Sequence, residues 1–143
     1  MSEPELDRLC GLLADALEGG AVGLSSGLEY APGCSAPAAE LKRLCGVVAR
    51  ADKVYATHMR NYAGGLVEAI EEQLELARHT GCRLQISHLK AAGWRNWHLA
   101  DAAVARIEAA RAEGLDVTIK MGGPQVNGVQ LLLAGQADFC HWN

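Results

Sequence analysis

The chain has 143 residues, half of them apolar, with a formal charge of −4 and a pI near 5.7. That balance suits one modest folded domain and excludes a disordered chain, and the lack of a basic cluster argues against a nucleic-acid or anionic-membrane partner. No apolar run reaches the roughly 18 residues of a membrane span, "MSEPELD" lacks the layout of a secretory signal, and five cysteines without a CxxC pair read as reduced thiols of a cytoplasmic protein.

The predicted elements alternate. Ser2 and Glu5 have capping-box spacing, and Leu6, Leu9, Leu13 and Leu17 recur at helical intervals until Gly19-Gly20. Residues 21–27 read as a short strand. Ser35 is positioned to cap a second helix with Leu41, Leu44 and Val48 on one face, followed by a strand over 53–57. A third helix over 65–78 turns Leu66, Ile70, Leu74 and Ala77 inward and stops at Gly81. A strand over 83–87 comes next. Asn96 is the expected cap of a fourth helix carrying Val104 and Ile107 to Gly114, before a strand over 115–119. In the tail, 122–124 reads as a turn, 126–133 as a short helix and 137–142 as a strand.

The segments "VARADKVYAT", "LARHTGCRLQI" and "AARAEGLDVTI" repeat one pattern of helix end, Ala-Arg, turn and strand. A period of about 30 residues is one βα unit, so the expected fold is α/β, a parallel sheet covered by helices. Chemistry in such sheets collects at the C-terminal strand ends.

Two strand ends carry the same signature. "VYATHMRN" places His58 after an apolar run with Arg60 two residues on; "LQISHLK" does so with His88 and Lys90. Because side chains alternate along a strand, His58 shares a face with Val54 and Ala56, and His88 with Leu84 and Ile86. If the strands are neighbours at equal height, both imidazoles face one ion position, as a zinc site requires. The competing reading has each histidine capping its own strand. His79, at a helix C-terminus, is expected to be a surface residue, and His98 and His141 have no partner in the pattern. Arg60 and Lys90 are candidates for a substrate carboxylate or else solvated loop cations. Tyr30 is a candidate hydrogen-bond donor or a packing residue, and Trp94 and Trp97 either wall a pocket or pack a loop.

"GAVGLSSGLEYAPG", "YATHMRN", "ISHLKAAGWRNW" and "AARAEGLDVT", in that order, resemble the N-acyl-D-amino-acid deacylases, D-aminoacylase-like members of the zinc amidohydrolase superfamily. The likeness runs over about residues 2–118. It implies a partial (β/α)8 barrel of about four βα units, with His58 and His88 as zinc ligands and Tyr30 and Lys90 as substrate contacts. It implies hydrolysis of the N-acyl amide of a D-amino acid. The family's His-x-His pair, cysteine ligand and general-base aspartate have no counterpart here, which implies little or no activity for this chain alone. Tyr62 stands where the family often has an acidic residue. Residues 119–143 diverge, and about 119–139 resemble transporter solute-binding proteins of the nitrate, taurine and pyrimidine-precursor type, as a fusion or frameshift would leave them. An open barrel segment is expected to self-associate through its sheet edges. The alternatives are a metal-independent binding module and a subunit completed by a partner chain.

Overall fold

The computed structural model describes residues 1–120. Helices and strands alternate: α1 (Glu3–Glu18), β1 (Gly23–Gly27), α2 (Ala38–Arg50), β2 (Val54–His58), α3 (Leu66–Thr80), β3 (Arg83–Ser87), α4 (Ala100–Ala112) and β4 (Val117–Lys120). Short 3-10 turns occupy Gly33–Ser35 and Trp94–Leu99. The strands form one parallel sheet in the order β1-β2-β3-β4. Parallel neighbours cannot be joined by a tight hairpin, and here each connection crosses through a helix. Among the described residues, no helix is long and apolar enough to cross a membrane.

Local chemistry explains the element ends. The Ser2 backbone N–H and hydroxyl both donate to Glu5 Oε2 at 2.7 Å, which starts α1. Gly81 takes a left-handed φ of 71° and returns its N–H to the Ala77 carbonyl at 2.8 Å, which ends α3. Gly23 is required where β1 begins, because a Cβ there would lie 2.1 Å from the Val54 carbonyl oxygen.

Register divides the sheet into two faces. Leu24, Tyr55, Leu84 and Val117 form one cross-strand row, and Ser26, Thr57, Ile86 and Ile119 form another on the same side. The buried members of these rows join Leu41, Val48, Leu66, Ile70, Leu74 and Ile107 of the helices in a single core. Each such Leu or Ile contributes about 1.5–3 kcal/mol by leaving water. The opposite face carries Ser25, Ala56, Gln85 and Thr118, and above them Gly27 and His58.

Several boundaries moved for identifiable reasons. Ser35 does not cap α2; it closes the 3-10 turn, and α2 starts after Pro37. Asn96 lies inside the second 3-10 turn, where its amide donates to the Ala92 carbonyl at 2.6 Å, and α4 begins only at Ala100. Val104 is exposed rather than inward, because α4 buries the stripe Ala103, Ile107 and Ala110. The last strand starts at Val117, since the Leu115 N–H still closes the helix on the Ala110 carbonyl. The turn, helix and strand read in the tail lie outside the described residues.

Candidate metal centre

The C-terminal rim of the sheet gathers the polar side chains. His58 is the last residue of β2 and His88 the first beyond β3; both are buried, at 9 % and 7 % exposure. Their rings lie 4.5 Å apart at 73°, with His58 Nδ1 2.9 Å from His88 Nε2. The imidazoles therefore converge, but not by the expected route. Thr57 pairs with Ile86, so the register sets Ser87, not His88, level with His58. Continued alternation would send His88 to the helical face with Ile86. Instead His88 adopts a φ of 39°, a left-handed backbone conformation rare for non-glycine residues, in which the strand's alternation no longer holds.

Glu29, two residues past β1, accepts a 2.6 Å hydrogen bond from His58 Nε2. With that nitrogen donating, a neutral His58 keeps its lone pair on Nδ1, the atom that faces His88. This is the arrangement in which a carboxylate fixes the tautomer of a metal-binding imidazole. The His58 hydrogen bond, supported by the charge of Lys90, holds the Glu29 carboxyl below the usual carboxylate value.

Tyr62, in the loop after β2, packs beside both rings. Its edge contacts span 4.9 Å to His58 and 5.3 Å to His88. Its hydroxyl accepts from the Met59 N–H at 2.9 Å and donates to the Ser87 carbonyl at 3.1 Å. Burial pushes its phenol up to about 12. Lys90 places Nζ 4.9 Å from the centroid of the Tyr62 ring. Tyr30 is largely exposed, its ring 5.2 Å from that of His58.

Arg60 is engaged within the fold. All three of its nitrogens are engaged, with Glu72 of α3 at 2.9 Å and with the carbonyls of Cys34 and Ala36 at 2.6 and 3.1 Å. These bonds tie the loops after β1 and β2 to α3. Trp94 and Trp97 are exposed in their 3-10 turn. His79 is on the surface at the end of α3, 3.0 Å from the Glu75 carbonyl, as its position implied. His58, His88, Tyr30 and Lys90 are thus brought together. Glu29 and Tyr62 complete the cluster and were not read as site residues. The rule that pointed to the histidines, attention to the residues just past each strand, would have found Glu29 in "SSGLEY".

The donor set can be tested against a metal. Zinc bonds imidazole nitrogen at about 2.0–2.1 Å, which separates two tetrahedral ligands by roughly 3.3 Å. The observed 2.9 Å is a hydrogen-bonding distance, about 0.4 Å short of that spacing. In this contact the His88 Nε2 carries the hydrogen, so a shift of that proton to Nδ1 would free both facing nitrogens for zinc, with the Glu29 carboxylate behind one of them. Among the described residues no cluster of three His, Cys, Asp or Glu side chains is arranged to hold an ion.

No protein-family model matches the chain. It is 40 % identical over 127 residues to an N-acyl-D-glutamate deacylase of Alcaligenes xylosoxydans xylosoxydans, covering 89 % of this chain and 26 % of the relative. An N-acyl-D-aspartate deacylase of the same organism is 41 % identical over 96 residues, 66 % of this chain and 19 % of that one. The crystal structure of N-acyl-D-glutamate deacylase from Bordetella bronchiseptica superposes with a TM-score of 0.83 at 40 % identity, over 85 % of this chain and 26 % of that one. That enzyme is complexed with zinc and a phosphonate mimic of the tetrahedral intermediate. A D-aminoacylase described as defining a novel subset of amidohydrolases superposes at 0.80 with 34 % identity, over 85 % and 25 % of the two chains.

This chain is a homologue of the N-acyl-D-amino-acid deacylases. It spans about a quarter of the length of the curated relatives it matches.

Proposed function

We propose that this chain carries the two-histidine part of a zinc centre for hydrolysing the amide of an N-acyl-D-amino acid, on four βα units of a (β/α)8 barrel. The 2.9 Å approach of His58 Nδ1 and His88 Nε2 at adjacent strand ends carries this reading. His58 and His88 would hold the ion, and Glu29 would keep the His58 lone pair turned toward it. When bound, zinc supplies a polarised carbonyl and a water acidic enough to attack near neutral pH. Lys90, an exposed cation beside the imidazoles, would meet the amino-acid carboxylate, and Tyr30 would donate a hydrogen bond from the open side of His58. The engagement of Arg60 with Glu72 supports Lys90 for the carboxylate. Two imidazoles fall short of the three protein ligands of a catalytic zinc site. The chain alone is therefore expected to hold zinc weakly and to hydrolyse N-acetyl-D-glutamate slowly or not at all.

The test is zinc binding by the purified full chain in competition with a chromophoric chelator. Uptake of about one equivalent that disappears in His58→Ala and in His88→Ala supports the reading. Uptake that is indifferent to both substitutions, or no uptake at millimolar zinc, overturns it. Chelator-sensitive turnover by the chain alone would overturn the expectation of inactivity.

A further inference from the structure

We propose that Tyr62 is a positioning residue that sets the spacing of the two imidazoles through its hydroxyl; the metal consequence of this rests on the zinc reading above, the geometry does not. The hydroxyl joins two particular peptide groups. The Met59 N–H belongs to the peptide just after His58, and the Ser87 carbonyl to the peptide just before His88. One oxygen atom thus links the backbone on either side of the histidine pair. Tyr62, Met59 and Ser87 are all buried, at 2 %, 0 % and 4 % exposure, so water does not readily replace the bridge.

The arrangement answers a specific structural need. His88 is off-register with His58 and reaches it only through a left-handed backbone, a conformation that persists when surrounding contacts over-determine it. The bond to the Ser87 carbonyl orients the peptide whose rotation sets that φ. The ring adds a second constraint, because its edges contact both imidazoles and limit how far either can turn. Tyr62 bears no ligand atom toward an ion. It acts through the histidines, as supporting groups around metal ligands do.

The experiment uses the full chain, selectively ¹⁵N-labelled at histidine, with Tyr62→Phe. This substitution keeps the ring and removes only the hydroxyl. In the metal-free protein the imidazole ¹⁵N resonances of His58 and His88 are expected to move while that of exposed His79 stays in place. Zinc affinity by chelator competition is expected to fall about 10- to 100-fold. Unmoved His58 and His88 resonances, or affinity within twofold of the parent chain, would overturn the proposal. If the parent chain takes up no zinc, the metal reading fails on its own. The positioning role is then decided by the resonances: movement supports it, constancy refutes it. Should Tyr62→Phe not fold, 3-fluorotyrosine at residue 62, a stronger donor of nearly the same size, replaces it. A shift of both imidazoles then supports the bridge and no shift overturns it.

Discussion

The ends of β2 and β3 carry one sequence pattern and two structures. Each reads apolar run, hydroxyl residue, histidine, apolar residue, cation. At β2 the histidine stays in the strand and the cation is tied down, with Arg60 bound to Glu72 and two carbonyls. At β3 the histidine leaves the strand through a left-handed turn and Lys90 remains exposed. The two ends nonetheless deliver imidazoles to the same place. A repeated pattern therefore predicts what must converge, while local backbone and neighbouring elements decide how.

The largest effect that would break this comparison lies in the histidines themselves. If both ends serve one ion, His58→Ala and His88→Ala each lower zinc affinity by about 100-fold or more, since one ligand of two is lost. A tenfold difference between them in a chelator titration would show that one end dominates. Glu29→Gln tests the support behind β2 alone and is expected to weaken zinc by about 10-fold or more.

The two cations separate next. Arg60→Ala should destabilise the chain by about 2–3 kcal/mol, because it removes charge-assisted hydrogen bonds and leaves a half-buried carboxylate without its guanidinium, with only the Gln73 amide donating to it. Lys90→Ala should change stability by less than about 0.5 kcal/mol, as exposed substitutions do. Urea denaturation of the two variants measures the contrast, and equal losses would refute the division of roles.

The smallest test concerns backbone alone, and its sign differs between the ends. At residue 88, glycine should be more stable than alanine by about 1 kcal/mol, since only glycine takes a left-handed φ without strain. At residue 58, in a regular strand, the order should invert by about 0.5–1 kcal/mol. Alanine more stable than glycine at residue 88 as well would show that the left-handed turn carries no strain.

These contrasts also mark what was legible beforehand. Helix and strand alternation followed from spacing, because leucines at intervals of three and four can only pack as a helical face. The histidine pair followed from its place after two strands. The left-handed φ of His88 did not, since alternation is a property of strands and the residue lies just outside one. Nor did the Arg60–Glu72 contact, which depends on how α3 returns across the sheet. Val104 was misplaced because alanine gave no hydrophobic signal, although three buried residues, two of them alanines, fix the orientation of α4. In the sequence Tyr62 stands out only by replacing the acidic residue frequent at that place in its loop. Its meaning depends on two peptide groups brought together from residues 59 and 87.

The sheet ladder also extends one step past β1, where the Leu28 N–H donates to the carbonyl of His58 itself at 2.9 Å. The segment that presents Glu29 and Tyr30 is thereby latched to the very residue it serves. Deuterium uptake at that single amide should be slow beside its solvent-facing neighbours, making it a gauge of how often the loop unlatches.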